Sequence, residues 1–383
     1  MESSTRVEGI DHDLAALLVA LASGPEPTTI DQDLDPHRVA EAVLAEVLSR
    51  AALLDQPPIP VTVQFELLTP GKPVGYVVST GLQDQARPDT VKAGWVPEPE
   101  VWIRQDLGEF VRAVFGPAGS PADRTRQVVV RDEPGPRSPA PDDPAMLRWQ
   151  AAQVAAGRLV LACSPRRHDL AALALRFGSD KWGGHWYTPH YERHFAPYRD
   201  RPVRVLEIGI GGYQSSAMGG ASLRMWKHYF RRGLIHGVDI ADKSGHDETR
   251  VRTIRGDQSD VDFLVALNDR HGPFDIVIDD GSHLSEHVIV SLTTLFPLLR
   301  HGGLYVVEDL ATSYWPAWNG GRTDAGDPAT SVGFLKTVVD ELQAQDSTAS
   351  GLEVTGMHFY HNMVVLEKGA NREQTAPAWL RGD

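Results

Sequence analysis

The chain of 383 residues contains one cysteine, Cys163. An intramolecular disulfide and a zinc site built from several cysteines are thereby excluded, and a reducing cytoplasm is the expected compartment. The thiol sits in the apolar run LVLAC, so it reads as a small buried hydrophobe rather than a nucleophile. Long hydrophobic runs are also missing. Leu14–Leu21 is too short to cross a bilayer, no other segment reaches the required length, and the MESSTRVEGIDHD start is acidic rather than signal-like. Positive charge is scarce: 37 Lys and Arg against 51 Asp and Glu give a net charge of −14. With no local basic stripe, such a chain repels phosphate backbones, so neither nucleic acid nor membrane is an expected partner.

Two phosphate-binding patterns are absent as well. Gly209-Ile210-Gly211-Gly212-Tyr213-Gln214 lacks the last glycine of G-x-G-x-x-G, and no GxxxxGK[ST] occurs. What is present is VRVLEIGIGGY (Val203–Tyr213), an apolar run ending in Glu207 and then a glycine-rich turn. A buried parallel strand has this form, and its glycines let bare backbone approach a ligand. LIHGVD (Leu234–Asp239), FDIVIDD (Phe274–Asp280) and LYVVED (Leu304–Asp309) repeat the pattern of strand followed by acid. Ligands in open α/β sheets bind outside the carboxyl ends of strands, so these acids and glycines point to one site. The alternative is an ordinary α/β domain with solvated strand ends.

The N-terminal part has a different character. A short helix is expected over 11–24, and a second one starts at the Asp35-Pro36 cap. Val61, Val63 and Phe65 alternate with polar residues, which predicts a strand with one wet face, and PGKP predicts a hairpin to Val74–Ser79. A strand near Val101–Arg104, a helix over 106–115 and a strand at Val128–Val130 complete a small α+β auxiliary domain, residues 1–130, read as an assembly or substrate-shaping element. Residues 131–145, rich in proline and charge, mark a linker, so the α/β domain is expected over 146–383, with helices on both faces of a mostly parallel sheet and a late hairpin at one edge. At its start, GSDKWGGHWYTPHYERHFAPY (Gly178–Tyr198) reads as a functional loop entering a helix. His185, His190 and His194 raise a histidine metal site, but no HExxH occurs, and ligand contact or packing is the expected role.

Without a pyrophosphate cradle, the glycine turn suits a smaller nucleoside ligand. Gly209 and Gly211 would approach it, Asp239 would accept from ribose hydroxyls, and Asp257 with Gln258 would face an adenine edge. Tyr187, Glu207 and Asp279 complete the expected donor site. Asp280, Glu308 and Asp309 are placed to share one hard divalent cation, magnesium by preference; otherwise they are solvated and Asp279 caps a helix. His283, in DDGSH, is the candidate general base toward an alcohol, unless it only starts a helix. A nucleoside cofactor beside a metal-held hydroxyl suggests methyl transfer from S-adenosylmethionine.

GSDKWGGHWYTPHYERHFAP, VRVLEIGIGGY, HGVDI, FDIVIDDGSH, GGLYVVEDL and HFYHNMVVLEKG together resemble the magnesium-dependent sugar O-methyltransferases of macrolide biosynthesis, of the mycinamicin VI 2''-O-methyltransferase type. The resemblance implies a Rossmann-like class I methyltransferase domain with the smaller auxiliary domain before it. It implies Glu207, Gly209 and Asp239 at the donor, Asp280, Glu308 and Asp309 at magnesium, and His283 as base. It also implies a homotetramer and a deoxysugar acceptor on a polyketide, with the histidine of DDGSH favouring the 2-hydroxyl over its neighbour. Trp315, Trp318 and Gly321–Asp324 form a candidate lid. Two other readings stand beside it. A nicotinamide oxidoreductase is opposed by the missing glycine and the absent Tyr-x-x-x-Lys pair, and a non-catalytic assembly subunit is supported only by the auxiliary domain.

Overall fold

The computed structural model describes residues 12–24, 28, 30, 34–82, 89–120, 122–131, 144–213, 215–322, 324, 326–343 and 350–370. The chain divides into two compact units, Met1–Arg167 and His168–Asp383.

The first unit runs α1 (His12–Leu21), α2 (Pro36–Ala51), β1 (Val61–Leu68), β2 (Val74–Thr80), β3 (Thr90–Ala93), β4 (Val101–Asp106), α3 (Leu107–Phe115), β5 (Gln127–Val130) and α4 (Pro144–Ala162). The expected caps are in place. The Asp35 carboxylate accepts from His37 N at 3.0 Å, and that of Asp106 from Glu109 N at 2.9 Å. The sheet order is β3-β2-β1-β4-β5, with β1 and β4 parallel. The wet face expected for β1 is not there. Gln64 is buried because its amide donates to the carbonyls of Phe65 and Tyr76 and accepts from Val96 N, while Arg104 lies 3.4 Å from the Glu66 carboxylate. Strand β3 carries no sequence signal strong enough to have been expected.

The boundary also differs. Helix α4 was expected with the α/β domain from residue 146. Instead Ala151, Ala152, Ala155, Ala156 and Leu159 enter the core of Val43, Val47 and Phe65. Small residues on one helix face permit that close approach, and buried Arg158 fixes it through Asp89 at 2.7 Å and Thr80 at 2.8 Å. Proline and charge marked the connection before α4, whereas packing places the division after it. Residues 132–143 of the expected linker lie outside the described residues.

The second unit runs α5 (Leu170–Phe177), α6 (Thr188–Phe195), β6 (Arg204–Ile208), α7 (Ala221–Tyr229), β7 (Leu234–Asp239), β8 (Val251–Arg255), α8 (Val261–His271), β9 (Ile276–Asp279), α9 (Ser285–Leu295), β10 (Leu304–Glu308), α10 (Ser331–Gln343), β11 (Val354–Tyr360) and β12 (Met363–Lys368). Its seven strands lie in the order β11-β12-β10-β9-β6-β7-β8. Strands β6 to β10 are mutually parallel, and the β11–β12 hairpin adds the antiparallel edge. This is the expected Rossmann-like α/β architecture. The order reverses between β6 and β9, so the loops after these neighbours diverge and leave a crevice at their carboxyl ends. Pro297 ends α9 in a single 3-10 turn, Phe296–Leu298. Among the described residues, no helix is long and apolar enough to cross a membrane.

Candidate active site

A cavity of about 850 Å³ opens at the carboxyl ends of β6, β7, β8 and β9. Gly209 forms its floor. With φ 91° and an ideal Cβ only 2.0 Å from the Asp280 carbonyl oxygen, this position admits no side chain. Gly211, at φ 77°, would bring a Cβ only into ordinary contact with Gly219 Cα, at 3.9 Å. The loop that carries it is gathered by Lys243, whose Nζ donates to the carbonyls of Gly211, Tyr213, Ser215 and Met218 at 2.7–3.2 Å. Asp239 ends β7 at the cavity wall, with its carboxylate held by Ile210 N and Ala241 N at 3.1 and 2.9 Å. Asp257 also lines the cavity, and its bonds from the Ser259 hydroxyl and N–H lower its pKa.

Of four further residues expected at the donor, Gln258 borders the cavity, while Asp279, Glu207 and Tyr187 lie behind its lining. The Gln258 amide is committed at both ends, to Asp279 at 3.2 Å and from Ser282 N at 2.7 Å. Asp279 is sealed in the core with Ser291, Gln258 and Tyr305, and burial raises its pKa. Strand alternation explains this: Asp279 and Asp280 are successive residues, so they point to opposite sides. Glu207 is fully buried and accepts from Ser222 and the Trp226 indole at 2.7 and 3.1 Å. Tyr187 donates from its hydroxyl to Asp309 Oδ1 at 2.7 Å and thereby orients that carboxylate.

Two acids and a histidine line one side of the same cavity. Asp280, His283 and Asp309 each offer a ligand atom within 4.8 Å of the others. His283 Nε2 is 3.5 Å from Asp309 Oδ2. Asn362, at the β11–β12 turn, donates to Asp309 Oδ1 at 2.8 Å and to the Tyr187 hydroxyl at 2.7 Å. Glu308, expected with the metal ligands, is not in this trio. Its Oε1 accepts from Lys181 at 2.6 Å and from the Tyr191 hydroxyl.

Lys181, Lys243 and Asn362 are site residues that the sequence does not announce, and Lys181 is the most central of them. It is completely buried, 2.8 Å from Asp280, 2.6 Å from Glu308 and 3.5 Å from Glu207. Burial alone would depress the amine, but the three carboxylates outweigh it and hold its pKa well above the ordinary value. One ammonium among three acids leaves an excess of negative charge. Burial and then Asp280 accordingly push the Glu308 carboxyl well up, and burial raises Glu207. The only sequence signal for Lys181 was its place in the Gly- and aromatic-rich stretch before α6. Nothing local marked Lys243 or Asn362.

The segment after β10 is internally pinned. Asn319 is buried and donates to the carbonyls of Ser313 and Arg322, while exposed Trp315 and Trp318 meet edge to face with centroids 5.7 Å apart.

The chain resembles known proteins along both units. Residues 14–126 match the model of the MycE methyltransferase N-terminal family. The 8-demethyl-8-alpha-L-rhamnosyl tetracenomycin-C 2'-O-methyltransferase of Streptomyces olivaceus is 53% identical over 74% of this chain and 75% of that protein. The mycinamicin VI 2''-O-methyltransferase of Micromonospora griseorubida is 38% identical over 96% of this chain and 93% of its own length. Among solved structures, MycE methyltransferase in complex with Mg, SAH and mycinamycin VI superposes with a TM-score of 0.81, at 38% identity, covering 97% of this chain and all of that one. These relatives are methyltransferases, so neither an oxidoreductase nor a non-catalytic subunit finds support. The chain belongs to the MycE family of polyketide-sugar O-methyltransferases.

Proposed function

We propose that this enzyme methylates the 2-hydroxyl of a deoxysugar attached to a polyketide, with S-adenosylmethionine as donor and Mg2+ as metal. One observation carries the reading. Two partly open carboxylates, Asp280 and Asp309, and the His283 imidazole converge beside a cavity walled by Gly209, Gly211 and Asp239. The cavity has the size of a nucleoside site and a floor that admits bare backbone only, which fits the donor. The carboxylate oxygens fit a hard cation. Glu308, held by Lys181 and Tyr191, would be the third carboxylate of the proposed metal set.

When bound, the donor would supply an electrophilic methyl, and the cation would stabilise the negative charge that develops on the acceptor oxygen. The chain does the rest. Asp239 orients the nucleoside. Asp280 and Asp309 would hold the cation at the rim where the sugar hydroxyls enter. His283 accepts the hydroxyl proton on Nε2, and Asp309 Oδ2, 3.5 Å away, stabilises the imidazolium that forms. Tyr187 and Asn362 keep Asp309 in place meanwhile. The Trp315–Trp318 segment shelters the aglycone, and the first unit supports assembly into a homotetramer in the cytoplasm.

Calorimetry and product analysis test the reading. S-adenosylhomocysteine should bind and NAD should not. Incubation with a panel of glycosylated polyketides should yield a product one methyl heavier, only with magnesium, with NMR placing the methyl on the 2-hydroxyl. Full turnover in metal-stripped protein overturns the metal assignment, and a 3-O-methyl product overturns the regiochemistry.

A further inference from the structure

A second group of metal-type side chains meets away from the catalytic cavity. His194 from α6, His358 from β11 and Glu367 from β12 each bring one ligand atom to within 4.8 Å of the other two. The two imidazole centroids are 4.6 Å apart, and His358 Nε2 lies 2.9 Å from Glu367 Oε1. The backbone makes room for this. Register shifts between Val354 and Gly356 and sets Gly356 opposite Glu367. A Cβ at 356 would come within 3.1 Å of Glu367 Oε2 and 3.4 Å of His358 Nε2, so the absent side chain leaves the carboxylate and imidazole free to meet. The other histidines of the same stretch stack, His190 on Tyr360 at 3.8 Å and His185 on Tyr187 at 4.7 Å, while His194 Nε2 lies 2.8 Å from the Tyr360 hydroxyl, a bond that sets the orientation of its ring.

We propose that His194, His358 and Glu367 form a second metal site, which takes a borderline divalent cation of the zinc type with water completing the shell. Two imidazoles and one carboxylate suit zinc, whereas magnesium prefers an all-oxygen shell, so the two sites select different metals. Donor atoms around tetrahedral zinc stand roughly 3.3–3.6 Å apart, so the present trio needs only small side-chain shifts to close on an ion. Zinc takes neutral imidazole. A cation here would clamp α6 to the edge hairpin. Helix α6 carries Tyr191, bonded to Glu308, and the hairpin turn carries Asn362, bonded to Asp309. The site would thus brace from outside the two elements that hold catalytic acids.

The test loads the stripped full-length protein with zinc in excess magnesium, which keeps the catalytic rim filled. Bound zinc is counted after desalting, and the melting temperature is read with and without zinc. Wild type and Asp280→Asn should each retain one zinc per chain, and zinc should raise the wild-type Tm. His358→Gln and Glu367→Gln, at partly exposed positions that leave folding intact by circular dichroism, should bind it more weakly by roughly 100-fold or more, beyond what loss of an outer-shell partner alone does. Equal zinc content and equal Tm shift in wild type and His358→Gln overturn the site, as does a wild type that holds no zinc.

Discussion

His283 Nε2 stands 3.5 Å from Asp309 Oδ2, and both residues hold left-handed backbone, with φ 57° and 55°. Non-glycine residues adopt that conformation at a cost of about 1 kcal/mol or more, and only where the surroundings fix it. Here the DDGSH loop and the turn after β10 both bend sharply, and the imidazole and carboxylate meet across the gap. His283→Ala is expected to lower turnover by roughly 10²–10⁴-fold, the usual loss of a general base, with S-adenosylhomocysteine affinity unchanged. Parallel kinetics and calorimetry check both halves, and unchanged turnover removes the base assignment.

Asp309→Asn keeps the shape of the side chain and removes its charge. Magnesium affinity is expected to fall by at least about 10-fold, and turnover with it. A magnesium titration of activity that matches wild type would show that the cation is held elsewhere.

Lys181→Met leaves Asp280, Glu308 and Glu207 without their shared cation. Removing one partner of a buried ion pair costs about 3–5 kcal/mol. The loss has a definite pH dependence. Glu308 and Glu207 already have raised folded pKa values, and the variant raises them further. A folded acid that holds its proton above its unfolded value loses stability as pH rises, so the variant should approach wild type near pH 5 and fall well below it near pH 8. Urea melts at both pH values decide this.

Gly209→Ala and Gly211→Ala separate close approach from conformational freedom. Both positions have positive φ, but only at 209 does the new methyl meet the Asp280 carbonyl. Gly211→Ala should cost about 1–2 kcal/mol of backbone strain. Gly209→Ala should cost more and also abolish donor binding, read by calorimetry on the folded fraction.

Cys163 gives a test in the first unit. Burial pushes its thiol from 9.0 up to about 11. The unfolded chain therefore releases this proton first, and stability falls by about 1.4 kcal/mol per pH unit between the two values. Cys163→Ala should lack that part of the alkaline loss in denaturant melts at pH 9 and 11.

The parts legible in the sequence were those written in neighbouring residues. The strand at 204–208, its glycine turn, Asp239 and the DDGSH loop all announce themselves within a few positions, because a buried parallel strand and a tight turn impose local composition. The adjacent acids of FDIVIDD look alike in the sequence, and only strand alternation separates buried Asp279 from Asp280 at the cavity. Lys181 and Asn362 could not be found this way. Each meets its carboxylate across a long stretch of chain, and no periodicity links them. Helix α4 was assigned by the proline-rich segment before it, whereas its alanine face decides where it packs.

The single antiparallel hairpin of the second sheet delivers Asn362 to Asp309 from the sheet margin. Sliding β12 by one residue along β10 would invert every side chain and withdraw that amide from the acid. Margins are also where sheets open first. A brief fraying there would release Asp309 from Asn362 while Asp239 and the glycine turn, built on the central strands, stayed in place, so the proposed acceptor side would loosen before the proposed donor side.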